Sequence, residues 1–155
     1  MRLPPGLRHV LAETKLYTDA RDYVILRLPI EETAAATEMV KDLDSPFVGM
    51  TRDKDELTLV LSREEWEGQS PLVEVFEESP DYRLITFDIP LELGLVGYLA
   101  TLVSALAEAG VSVFSLSAFS RDHVFVPAED FEQAWEALRA LIRTCQAEEA
   151  AEVYE

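Results

Sequence analysis

The sequence has one cysteine, Cys145, and two histidines, His9 and His123. A lone thiol excludes an intrachain disulfide and any C-x-x-C redox or zinc motif. The three residues sit on separate stretches of chain, so no metal site with convergent ligands is expected. Glycine is scarce, at six residues, and Gly94-Leu-Val-Gly97 has neither the G-x-G-x-x-G nor the G-x-x-x-x-G-K-[ST] spacing that cradles phosphates. Bases are few, 13 against 30 acids, leaving a formal net charge of -17. A field of that sign repels phosphate backbones and anionic headgroups, so neither nucleic-acid nor membrane-surface binding is expected. Long apolar runs are missing too: Leu93 to Ala107 is uncharged for only 15 residues, short of the roughly 20 that span a bilayer. The opening Met-Arg-Leu-Pro-Pro-Gly-Leu-Arg-His lacks the apolar core of a secretory signal, and a cytoplasmic location is the expectation.

Catalytic constellations are lacking in the same way. A Ser-His-acid triad needs a histidine held between nucleophile and acid. Asp122 and His123 are neighbours at a strand entry, where successive side chains point to opposite faces. The pairs Glu31-Glu32, Glu64-Glu65 and Glu77-Glu78 are adjacent rather than convergent, and Cys145 follows an apolar helical stripe as a small buried hydrophobe would. No catalytic residue, metal or cofactor is expected.

What is present is a core-forming composition, 48% hydrophobic over 155 residues, a length at which folding hides roughly 68–70% of the unfolded surface. The acids are spread evenly: residues 1–78 carry 9 bases and 17 acids, residues 79–155 carry 4 and 13. Hydrophobic periodicity repeats across these halves. Tyr23 to Leu28 and Tyr82 to Ile89 read as strands, each closed by a proline, Pro29 or Pro90. Helical spacing follows in both, over Glu31 to Leu43 and over Leu95 to Ala109. Strand pairs come next, Phe47 to Arg52 with Glu56 to Leu61, and Ser112 to Phe119 with His123 to Val126.

A second helix is strong in the second half, Glu129 to Thr144, with Phe131, Trp135, Leu138 and Ile142 on one face. In the first half a capping box, Ser62-Arg-Glu-Glu65, starts a helix that Gly68, Ser70 and Pro71 stop within about two turns, and Leu72 to Phe76 alternates like a fourth strand. Leu59-Val-Leu-Ser-Arg-Glu-Glu-Trp66 aligns with Val124-Phe-Val-Pro-Ala-Glu-Asp-Phe131 at an offset of 65. The expected fold is α+β: two tandem ferredoxin-like β-α-β-β-α-β domains, residues 1–78 and 79–155, each an antiparallel sheet with helices on one face. Leu7 to Tyr17 has no place in that unit except as an extra strand.

One loop departs from this pattern. Pro90-Leu-Glu-Leu-Gly-Leu-Val-Gly97 joins a strand to an apolar helix, and free N–H groups around Leu95 to Gly97 would accept an anion such as a carboxylate. The same glycines also serve tight helix-to-strand packing.

Residues 82–140, through Gly94-x-x-Gly97, Leu106-Ala-Glu-Ala-Gly-Val-Ser-Val113, Leu116-Ser-Ala-Phe119 and Asp122-His-Val-Phe-Val126, resemble an ACT domain of the amino-acid-binding type found in bacterial tandem-ACT proteins. They are similar to the CASTOR-type arginine sensors. Pro46 to Val60 resembles the hairpin of the family's first domain. The resemblance implies a non-enzymatic regulatory protein: an amino acid would bind the second domain at an interface with another ACT domain, in a homodimer. Its ligand-binding positions would be Glu92, Gly94, Leu95, Val96, Gly97, Ser112, Val113, Phe119 and Asp122. In that set backbone amides take the ligand carboxylate, Asp122 takes its ammonium, and Glu92 would favour a cationic side chain. Ala118, Arg121 and His123 replace two hydroxyl residues and an aromatic of the usual hairpin. Arg121 could instead pair with Asp122, and a ligand-free assembly module is then the alternative; an enzyme on the same scaffold is a third.

Overall fold

The computed structural model describes residues 2–69 and 72–154. In chain order the elements are α1 (Pro5–Glu13), β1 (Leu16–Tyr17), β2 (Asp22–Leu28), α2 (Thr33–Val40), β3 (Gly49–Arg52), β4 (Leu57–Ser62), α3 (Arg63–Glu67), β5 (Glu77–Glu78), β6 (Tyr82–Phe87), α4 (Tyr98–Glu108), β7 (Phe114–Ser117), β8 (Asp122–Pro127) and α5 (Phe131–Glu152). Single 3-10 turns, Ile30–Glu32 and Ala128–Asp130, lead into α2 and α5.

Two compact units emerge, and their boundaries differ from 78/79. One is Asp19–Leu84; the other combines the residues up to Thr18 with those from Ile85 onward. In the first, antiparallel pairings β5 to β2, β2 to β4 and β4 to β3 give the order β5-β2-β4-β3. Val24, Leu26 and Leu28 of β2 alternate with the half-buried Ile25 and Arg27, and pack with Leu57, Leu59 and Leu61 of β4 against Ala36 and Met39 of α2. The Ser62 hydroxyl caps α3, accepting the Glu65 N–H at 3.2 Å. Glu65 in turn accepts the backbone N–H groups of Asp44 and Ser45 at 2.9 and 3.2 Å. These bonds hold its carboxyl below the usual range against the opposing effect of burial. The helix stops at Gly68; the other expected stop residues, Ser70 and Pro71, lie outside the described residues. Leu72 to Phe76 is not strand. Leu72 and Phe76 are more than half exposed, and the fourth strand forms at Glu77–Glu78.

The second unit has the order β1-β6-β8-β7, again antiparallel where β1 meets β6 and β7 meets β8. Its fourth strand is the N-terminal β1, with Leu16 opposite Phe87 and Tyr17 opposite Thr86. The expected extra strand over Leu7 to Tyr17 is therefore mostly helix. Pro5 occupies the first turn of α1, where a missing N–H costs nothing, and Leu7, Leu11 and Ala12 face inward. They join Ile85, Phe87, Leu102, Leu106, Val124, Val126 and Leu138 in one apolar core. This burial is why the first 18 residues belong with the C-terminal unit rather than with the chain that follows them.

The Arg8 guanidinium, 1% exposed, donates from Nε to Glu149 at 2.8 Å and from Nη2 to Glu152, both on α5. Cys145 is buried on the same helix, and burial raises its thiol pKa. No helix among the described residues is long and apolar enough to cross a membrane.

Candidate functional site

The loop from β6 to α4 meets the β7–β8 turn within the second unit. The Leu91 N–H donates to the Ser120 carbonyl at 2.7 Å, and the Ala118 N–H donates to the Arg121 carbonyl at 2.8 Å, closing that turn. Leu95 spends its own N–H on the Glu92 carbonyl at 3.1 Å. The helix therefore begins three residues later than periodicity suggests, at Tyr98.

Gly97 is the reason. Its φ of 89° is left-handed, a conformation open to glycine at little cost, and a Cβ there would sit 3.3 Å from Leu7 Cδ2. From this position its carbonyl accepts the Thr101 N–H at 3.0 Å and the Thr101 hydroxyl at 2.7 Å. The N–H groups of Tyr98, Leu99 and Ala100, ahead of that first intrahelical bond, meet no acceptor among the described residues. The free donors are thus one turn further along than Leu95 to Gly97.

These groups border a cavity of about 340 Å³, near the lower end of the ~300–1,000 Å³ usual for small-molecule sites. Leu91, Leu93, Leu95, Leu99 and Phe119 supply an apolar lining, Glu92 and Asp122 supply acids, and Arg121 supplies a base. Asp122 accepts the Ser117 hydroxyl at 2.6 Å on Oδ1. Arg121 does not neutralise it: the guanidinium Nε donates to Asp88 Oδ1 at 2.9 Å. The pocket lining therefore combines a partial positive charge at the α4 start with a carboxylate.

Neighbouring groups fix this frame. The Tyr98 hydroxyl meets Thr14 Oγ1 at 2.7 Å, its ring lies edge-on to Phe87, and burial, with a smaller push from Asp122, raises its pKa to about 12. His123 turns to the opposite face of β8, where Nδ1 meets Thr86 Oγ1 at 2.9 Å. Burial lowers its pKa, outweighing the Asp122 carboxylate. Such a histidine is neutral at neutral pH.

Of the nine residues singled out in the sequence, Glu92, Leu95, Gly97, Phe119 and Asp122 line the cavity. Gly94, Val96, Ser112 and Val113 do not. Gly94 stands in open space, Val96 is 84% exposed, and Ser112 and Val113 precede β7 on the surface. Tyr98, Leu99, Ala100 and Ser117 line it without having been anticipated. The signal for the first three was Gly97 itself, read as a helix cap rather than as a ligand contact.

Residues 77–140 match the family model of the ACT domain, a span that contains the whole loop, helix and hairpin of the cavity. A solved structure of a Vibrio cholerae protein of unknown function, described as a possible transport protein, is 26% identical; the match has a TM-score of 0.66 and covers 88% of this chain and 95% of that one. The ligand-free regulatory subunit of aspartate kinase from Thermus thermophilus is 16% identical at a TM-score of 0.62, over 83% of this chain and 97% of that one. Aspartate kinase from Clostridium acetobutylicum is 14% identical at a TM-score of 0.65, over 83% of this chain and 34% of that one. The aspartate kinase structures share the fold. No curated protein matches the chain.

Proposed function

We propose that this is a non-enzymatic regulatory protein built from two ACT-type domains, the Asp19–Leu84 unit and the unit completed by the N-terminal arm, with an amino acid bound in the second. The observation that carries this reading is the pairing of three free helix N–H groups with an unneutralised Asp122 across one cavity. A free amino acid is a zwitterion. Its carboxylate suits the α4 start and its ammonium suits Asp122, each as a charge-assisted hydrogen bond. The apolar lining favours an aliphatic side chain over arginine, because Glu92 is exposed and a buried cation would need a closer partner.

Occupancy is then transmitted through a second copy of the chain. Support comes from the exposed Leu93 and Phe119 of the cavity lining, 74% and 80% accessible, and from Val96 in the same loop, 84% accessible, which a homodimer would cover. The same residues favour a second reading, an assembly module that binds no ligand. Thermal unfolding with each amino acid at millimolar concentration separates the two, since ligand at 100 times its Kd adds about 2.7 kcal/mol. A folded dimer that no amino acid stabilises supports the assembly module and sinks the sensor.

A further inference from the structure

A second cavity, of about 510 Å³, lies between β1 and α5 in the same unit and is lined by Thr14, Lys15, Trp135, Arg139, Arg143 and Gln146 among others. It differs from the rest of the surface in sign. The residues up to Thr18 and from Ile85 onward hold only 6 bases against 13 acids, yet three of those bases line this groove and no acid does.

The pairing pattern is the second observation. In a chain with more than two acids per base, most cations find a carboxylate within 4 Å. Lys15 and Arg143 are exceptions among the described residues, and Arg139 has only an exposed contact with Glu136 at 3.3 Å. Leaving such groups together and unpaired costs mutual repulsion, which a bound anion would relieve. Nor does the overall charge forbid an anion here. At physiological ionic strength, distant carboxylates are screened over about 8 Å, and groups in direct contact dominate. Trp135 and the aliphatic stem of Arg139 add an apolar wall, and Gln146 on the same lining is anchored through Nε2 to the Ala12 carbonyl at 3.1 Å.

We infer that this groove binds a small polyanion, of phosphate or polycarboxylate chemistry, through Lys15, Arg139 and Arg143. The site is independent of the proposed amino-acid cavity. Calorimetric titration of the full chain with inorganic pyrophosphate and with citrate, near 0.15 M salt, tests it. Saturable binding of either is expected, with Lys15→Gln and Arg143→Gln each weakening it about tenfold, the worth of one charge-assisted hydrogen bond. Preference for pyrophosphate assigns phosphate chemistry; preference for citrate assigns carboxylate. Arg52→Gln, which removes another unpaired cation in the other unit, and Asp122→Ala should both leave the affinity unchanged. No binding of either probe at about ten millimolar, or equal weakening by Arg52→Gln, overturns the inference. Both groove residues are exposed, so an unchanged Tm for each variant will exclude a folding defect.

Discussion

Single side chains decide whether the cavity can hold a zwitterion. Arg121 is the instructive case, since its sequence neighbour Asp122 was an available partner and only the fold shows Asp88 taking it instead, at 2.9 Å. Asp122, Gly97 and Phe119, legible in the sequence because loop and hairpin patterns are local, line the cavity. Ser112 and Val113 do not line it, because where a strand begins to face a cavity depends on tertiary register, which no local pattern carries. Gly97→Ala forces a side chain into a left-handed conformation and should cost about 1–2 kcal/mol, read as a shifted denaturation midpoint with an unchanged slope. Leu7 Cδ2 can retreat a few tenths of an ångström, so sterics add little. His123 gives a pH signature. Its folded pKa is depressed, so the unfolded chain binds the extra proton below about pH 6.5; stability contributed by the neutral ring is present above that value and lost as pH falls towards the folded pKa. Between pH 7.5 and 5.5 the Tm should fall more in the native chain than in His123→Gln, and equal falls would refute that assignment.

At the scale of elements, the N-terminal arm carries the least expected structure. Strand and helix types were readable elsewhere: the offset of 65 aligns β4 with β8 residue for residue, Leu57 with Asp122 and Ser62 with Pro127. The arm was not readable, because a two-residue strand has no period and a nine-residue helix shows its purpose only where Leu7 and Leu11 are buried. Leu72 to Phe76 misled for the converse reason: it alternates as a strand would, with Val73 and Val75 packed on the first unit's core, but the ladder pairing with β2 begins only at Glu77. Leu11 is fully buried, and Leu11→Ala should destabilise by roughly 2–5 kcal/mol. Hydrogen exchange gives the sharper test. In that variant α4, β8 and α5 should lose protection before β2 and β4 do, because Leu11 packs in their core and not in the other. Loss concentrated in β2 and β4 would contradict the assignment of the arm.

For the whole molecule, a charge of -17 is spread over both units, with 7 bases and 17 acids in Asp19–Leu84 and 6 and 13 in the remainder. A like charge of that size opposes non-specific association. Function on the present reading depends on the few places where that rule is broken or used: Asp122 beside a helix start, and three bases gathered at β1 and α5. Ligand choice should follow the lining of the first cavity, so leucine, isoleucine or valine should raise the Tm more than arginine does, and the reverse order would reassign Glu92 as the selecting group. Thermal unfolding of the native chain and of Asp122→Ala, with and without the twenty amino acids, is the most direct test. The expected result is a rise in Tm of several degrees with an aliphatic amino acid, absent in Asp122→Ala at unchanged ligand-free Tm. A native chain that no amino acid stabilises, or a rise that survives the loss of Asp122, would contradict it.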